Sequence, residues 1–391
     1  MRLIPRTLDV PTSPIADAHR HVVDRNPDLP LLDLSQAAPS YPTAPAVAAR
    51  VAEVAASDTG GRYAPPPGLP ELLDAFADDL TVSYGPSFDH DQLLPTGGCN
   101  QAFCVIASTL TQPGDEVIVP VPYYFNHDMW LKLDGVVPRY LHPTDPMVSL
   151  VPDPERAAQL INERTRAILL VTPGNPTGVT IPPDVIARFH ELAADHDLAL
   201  IIDETYRNFR TTDDPPHRLF DRPDWTDTVV SLHSFSKDLA IPGYRVGAIV
   251  AGAEVKVEAL KLLDCVQICA PRVGQEAAAA GLRLAREWRV GKAADINRAL
   301  DHFRAVMAPE PGRFRLASAG AFFGWVRHPF DDRPTGQVVR DLVVDHGVLG
   351  IPGTAFTPTD EGWIRFSYAN LSTAELDEFA RRLAVAGRAP G

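Results

Sequence analysis

The strongest constraint on this chain is a series of short apolar runs spaced at helical lengths. They read "DEVIVPVP" (115–122), "VVPRYL" (136–141), "AILLVT" (167–172), "LALIID" (198–203), "TVVSLHS" (228–234) and "VGAIVAG" (246–252). Each is rich in Val, Ile and Leu and ends in polar or turn residues, as strands do. Runs that are apolar throughout, rather than at alternate positions, belong to strands buried on both faces. With helices between them they predict an α/β fold: a mostly parallel sheet sandwiched by helices. "DVIARFHELAADHD" (184–197) is a clear crossover helix, with Val185, Ile186, Phe189 and Leu192 at helical spacing.

After about residue 255 the texture changes. Longer helices appear, including the alanine-rich "GQEAAAAGLRLAREWRV" (274–290). A short α+β region follows, with "GAFFGWVR" and "GWIRFSYA" as strands and "TAELDEFARRLAVA" as a closing helix. At 391 residues the chain is long for one core, so two lobes are expected. The expected division is a large domain over 46–284 and a smaller C-terminal α+β domain over 285–391. Residues 1–45, proline-rich and weakly patterned, read as an arm packing on the small domain or on a partner subunit.

Composition excludes several classes of function. A net charge of -14 disfavours nucleic acid, whose phosphates attract basic faces. No apolar run is long enough to span a bilayer, and the N-terminus lacks the apolar core of a signal peptide. The four cysteines, at 99, 104, 265 and 269, show no CxxC pair, which predicts reduced thiols, no metal site and a cytoplasmic location.

In open α/β sheets ligands collect beyond the carboxyl ends of the strands. The residues there are "TGGCNQAF" (96–103), "PYYFNH" (122–127), "TPGNPTG" (172–178), "DETYRNF" (203–209) and "SFSK" (234–237), all polar or glycine-rich. Asp203 is either a cap or internal acceptor, or a carboxylate able to hold a proton on a ring nitrogen, with the Tyr206 phenol nearby. Gly97 and Gly98 precede a helical stretch whose free N–H groups suit a phosphate, although a structural turn reads the same way. Asn175 lies in a tight loop, where it makes a plain turn or aims its amide into the cleft. Lys237 decides among these readings. An amine becomes a Schiff-base nucleophile when desolvation or a nearby cation lowers its pKa. Ser234, Ser236 and Arg245 beside it suit a phosphate, and with an acid for a pyridinium nitrogen this is the pyridoxal-phosphate arrangement.

On these motifs the sequence resembles the class I/II aminotransferases, fold-type I pyridoxal-phosphate enzymes of the aspartate aminotransferase superfamily, from about residue 32 to 386, which implies that the mostly parallel sheet is seven-stranded. The most specific element is S-x-S-K followed eight residues on by Arg245, with G-Y-R-V-G intact. The resemblance implies that Lys237 carries the cofactor, that Ser234, Ser236 and Arg245 bind its phosphate, and that Asp203 pairs with the pyridine nitrogen. It implies that Asn175 and Tyr206 bond the ring phenolate, that Gly98, Cys99 and Asn100 cradle the phosphate, and that Tyr124 stacks on the ring. His127 would support Asp203, Tyr63 would reach the phosphate of the other subunit, and Arg365 would fork onto the substrate α-carboxylate. Ala37 stands where relatives often carry glycine, beside the substrate. Arg272 is only a loose candidate for a distal carboxylate. The aromatics Tyr41, Tyr123 and Phe125 either favour a bulky side chain or simply pack.

The implied activity is transfer of an amino group between an α-amino acid and a 2-oxo acid by a ping-pong cycle, in a homodimer with shared active sites. The motifs fix the cofactor and not the reaction. A lyase, cyclase, decarboxylase or oxidase on the same fold is therefore the alternative. A cofactor-binding regulator is a weaker one, because residues 1–45 are too short and too little basic to read DNA.

Overall fold

The structure, a computed structural model, describes residues 1–388. The chain enters through two short helices, Pro5–Leu8 and Pro14–His19, and a two-residue strand β1, Leu32–Asp33. Seven strands of one sheet follow: β2 (Leu93–Thr96), β3 (Glu116–Pro120), β4 (Val137–Leu141), β5 (Thr165–Val171), β6 (Ala199–Asp203), β7 (Val229–Ser234) and β8 (Gly247–Val250). Their order is β2-β8-β7-β6-β5-β3-β4. The ladders from β4 to β7 are parallel, whereas β8 runs antiparallel to both β7 and β2.

Successive residues on a strand face opposite sides, and both sides here are dry. Ile168, Leu170, Leu200 and Ile202 enter one core. Leu169, Ile201, Val230 and Leu232 enter the other. That division is why the central runs are apolar at every position. The strand without a counterpart among the apolar runs is β2: "LLPT" is four residues long and carries Pro95. Its place at the edge of the sheet tolerates the missing N–H.

The alanine-rich stretch is two helices and not one. Arg272–Leu284 and Arg286–Met307 meet at Ala285, where φ is -117° and ψ is 23°. The reason lies in the cores they serve. Ala277, Ala278 and Leu282 enter the core on one side of the main sheet, whereas Leu300, Phe303 and Met307 pack in the C-terminal lobe. A straight helix cannot reach both.

That lobe contains β9 (Arg315–Gly320), β10 (Phe323–Arg327), β11 (Val348–Leu349), β12 (Ile351–Pro352) and β13 (Trp363–Ser367). Four of these form an antiparallel sheet, β12-β13-β10-β9, while β11 pairs in parallel with β1 from the N-terminal segment. Small residues in "RLASAG" hide β9 from an apolar-run search. The closing helix Thr373–Ala386 opens on a reciprocal Ser372/Glu375 capping box. The N-terminal segment adds Ala18 to a cluster with Phe125, Trp325 and Phe356. The lobes touch at Gly178 and Gly320, where a Cβ on either would lie within 2.2 Å of the other's backbone.

Among the described residues no helix is long and apolar enough to cross a membrane, and no group of His, Cys, Asp or Glu could hold a metal ion. All four cysteines are free.

Candidate active site

Parallel strands deliver their following loops to one edge of the sheet, and the polar motifs sit there. The ladder pairs Val171 with Asp203 and Asp203 with Leu232, which places the ends of β5, β6 and β7 side by side. Beyond them lies a cavity of about 160 Å³. Asn175 lines it from the loop after β5, and Asp203 and Tyr206 from β6 and its loop. Ser234, Ser236, Lys237 and Arg245 line it from the turn joining β7 to β8. Cys99 and Asn100 enter from the helix Cys99–Leu110, Tyr124 from the cap of the helix Phe125–Asp134, Arg365 from β13 and Ala37 from the N-terminal segment.

Asp203 is buried and ionised. Burial pushes its carboxyl up, but His127 and Thr205 outweigh this and hold it below the usual range. The Thr205 amide donates to Oδ1 at 2.9 Å. His127 Nε2 lies 3.2 Å from Oδ2, within ion-pair reach but off the line of a hydrogen bond. His127 is wedged against the rings of Phe103 and Tyr124, at 4.2 and 5.1 Å between centroids. Lys237 is half-buried. Burial, with Arg245 and Arg365 adding repulsion, lowers its ammonium to about 8. The amine therefore exchanges protons near neutral pH. Burial and the neighbouring Tyr124 and Asp203 raise the Tyr206 phenol well above its ordinary value, so it stays a proton donor.

One end of the cavity is shaped for an anion. Gly98, at φ 94°, caps the helix Cys99–Leu110 and leaves its first-turn N–H groups without a side-chain acceptor. A Cβ on Gly98 would lie 2.3 Å from the Arg245 guanidinium, so glycine is needed for that approach. Arg245, itself in the left-handed region at φ 50°, is anchored to the carbonyls of Pro242 (3.0 Å) and Gly97 (3.2 Å).

At the other end stands Arg365, 2% exposed. It donates to Asn175 Oδ1 at 2.8 Å and to the Ser35 carbonyl, and its Nε has no partner among the described residues. The rings of Phe323 and Phe356 lie 5.2 and 4.9 Å from the guanidinium carbon. Burial lowers its pKa to about 10, which leaves it charged at neutral pH. No carboxylate of the described residues pairs with it. A buried cation without a counter-ion is costly, so this one awaits an anion.

Some of the expected residues stand apart from the cavity. Gly98 and His127 lie behind its wall. Tyr63 is 74% exposed, and its carbonyl accepts from Arg272 at 2.9 Å. Arg272 itself turns to that loop and away from the cavity. Tyr41 packs on Trp288 and Tyr123 stacks on Tyr140, so Phe125 is the aromatic of that group that reaches the lining. Sequence reasoning missed Thr205, although it is visible within "DETY", together with Ile15, Val171, Pro242 and the Ser35 carbonyl. Ile15 carries no local signal; tertiary packing of the arm brings it there. A larger groove of about 550 Å³ between the lobes is lined by one charged residue, Arg304, and by no acid or lysine.

A family model described as "Aminotransferase class I and II" matches residues 30–383. The chain belongs to the class I and II aminotransferases. It is 30% identical to an aromatic aminotransferase of Arabidopsis thaliana, over 82% of this chain and 80% of that protein. It is 32% identical to an arginine–pyruvate transaminase of Pseudomonas aeruginosa, over 91% and 89%. An aspartate aminotransferase from Thermus thermophilus, solved with maleate, superimposes with a TM-score of 0.89 at 25% identity, covering 99% and 100% of the two chains. These relatives favour transamination over the lyase, cyclase, decarboxylase and oxidase alternatives. The enzyme is a pyridoxal-phosphate-dependent aminotransferase acting on amino acids and 2-oxo acids. Its cavity fits that cofactor: an ionised acid at one wall, a lysine of lowered pKa, and, for a phosphate, Arg245 beside the start of the helix that Gly98 caps.

Proposed function

We propose that Lys237 is the reactive amine of this aminotransferase and that the cavity divides its labour around it. Bound there, pyridoxal phosphate supplies an aldehyde for capture of an amine and an electron sink for the charge left on the substrate. Ser234, Ser236, Arg245 and the turn Gly98–Cys99–Asn100 hold the phosphate. Asp203, kept ionised and steadied by His127, retains a proton at the ring nitrogen. Tyr206 and the Asn175 amide, whose oxygen is taken by Arg365, would donate to the ring oxygen, and Tyr124 would cover the ring. Arg365 forks onto the substrate α-carboxylate, with Ala37 beside it. Lys237, an amine near pKa 8 that can both take and give a proton, would move one away from the substrate α-carbon and hold it for return. Used in the opposite sense on a 2-oxo acid, the same residues would complete a ping-pong cycle.

Residues 46–284 form the cofactor domain of this reading and 285–391, of which 389–391 lie outside the described residues, the smaller domain, with the helix break at Ala285 between them. The arm 1–45 brings Ile15 to the cavity. The enzyme works as a cytoplasmic homodimer in which Tyr63 serves the partner's phosphate. Its exposure, and that of Arg245 at the open side of the cavity, support this.

The observation that carries the reading is Lys237, an amine of lowered pKa set in one cavity with an ionised Asp203. Borohydride treatment of the cofactor-loaded protein, followed by peptide mapping, should fix the cofactor on Lys237. A tag on any other lysine removes Lys237 from the role.

A further inference from the structure

Each of three cavity residues is followed by a charged residue that turns away from the cavity: Glu204 after Asp203, Arg207 after Tyr206 and Asp238 after Lys237. These meet behind the active site. Arg207 donates to Asp79 and, at 2.8 Å, to Ser83 Oγ. Arg289, on the first helix of the C-terminal lobe, bridges two acids: Nη1 to Asp79 Oδ1 at 2.8 Å, and Nη2 and Nε to Asp238 Oδ2 at 2.8 and 3.1 Å. Asn208 adds a donor to the same Asp238 oxygen at 2.7 Å. The Arg207 guanidinium also lies over the Tyr84 ring, and the Tyr84 hydroxyl donates to Glu204 at 2.6 Å.

Two arginines and two aspartates balance in charge, and all four are largely buried, with side-chain exposures of 6 to 14%. Such a cluster is a poor source of net stability, because apolar side chains of the same volume would serve as well or better. What it supplies is fixed geometry. None of the four lines the cavity.

We propose that the Asp79–Arg207–Arg289–Asp238 cluster positions the active site, with Arg289 holding the backbone that presents Tyr206 and Lys237 and tying it to the C-terminal lobe. The single forked guanidinium does what a lysine cannot: it spans Asp79 and Asp238 at once. Its loss frees the segment after Lys237, lets water reach the amine, and leaves the Asp238 carboxylate, already pushed up by burial, without its main counter-charge. The charged and titratable groups that share the cavity with Lys237 are Arg245, Arg365, Asp203, Tyr206, Tyr124 and Cys99.

The proposal rests on Lys237 as the reactive amine, which borohydride mapping of the unaltered enzyme tests separately. Arg289→Gln and Arg289→Lys are then compared with it. For Arg289→Gln, kcat should fall by about tenfold to a hundredfold while KM for the amino donor moves less than about threefold, as expected of misplacement rather than lost binding. In cofactor-free protein, modification of Lys237 by an amine-reactive reagent is followed against pH by peptide mass spectrometry. Its midpoint should rise from about 8 toward that of an ordinary lysine. Arg289→Lys keeps the charge and loses the bridge, so it should resemble Arg289→Gln and not the unaltered enzyme. A lowered melting temperature with kcat and midpoint unchanged overturns the proposal and leaves the cluster purely structural. If Arg289→Gln does not fold, Asn208→Ala replaces it. That variant removes one neutral donor, a smaller shift in the same direction is expected, and no shift overturns the proposal.

Discussion

At its serine–arginine end most of the cavity comes from neighbours in sequence: Ser234 ends β7, and Ser236, Lys237 and Arg245 lie in the loop between it and the adjacent β8. At its Arg365 end, by contrast, β13 of one lobe meets Asn175 of the other, the Ser35 carbonyl and Ile15 of the N-terminal segment. The first end needs only its own sheet, since Gly97, whose carbonyl anchors Arg245, follows β2, the neighbour of β8. The second exists only when three distant parts of the chain are in place. Binding of a constant group and recognition of a variable one have thus been given to construction of different kinds.

This contrast can be broken by substitution. The largest effect belongs to Lys237→Ala, which should lower turnover by about 10⁴-fold, the upper range for losing an acid–base group. It should also abolish borohydride fixation of the cofactor. Next comes Asp203→Asn, nearly isosteric but without the charge; single-turnover rates should fall about 10²- to 10³-fold. If the rate holds, Asp203 has no part in stabilising charge on the ring. Arg365→Leu should raise KM for the amino donor on the order of 100-fold, the loss of one buried charge partner, and leave cofactor affinity nearly as it was. Release of cofactor by this variant, measured by equilibrium dialysis, would show that the two ends are one unit, joined through Asn175. Smallest is Ile15→Ala, worth about 1 kcal/mol of apolar contact, a few-fold in kcat/KM that grows with the size of the substrate side chain.

The same contrast governs what could be read from the sequence. The buried strands announced themselves because both faces of β5 and β6 are dry, and the loops after them because an open sheet gathers ligands at one edge. Proline and shortness hid β2; small residues hid β9. The alanine-rich stretch read as one helix because its break at Ala285 is imposed by two separate cores and not by a proline or glycine. Ile15 was invisible, since nothing near it in sequence says what the arm will cover. The Arg289 cluster was equally hidden: its partners Asp79 and Asp238 lie 210 and 51 residues away, and no motif marks such spacings.

Arg365 has one further consequence, for handling the enzyme. A guanidinium in the cavity wall, flanked by Phe323 and Phe356 and with no carboxylate partner among the described residues, will take up small carboxylates from solution. Acetate, citrate or succinate buffers should therefore act as competitors, and apparent affinities measured in them will be weaker than those measured in zwitterionic sulfonates.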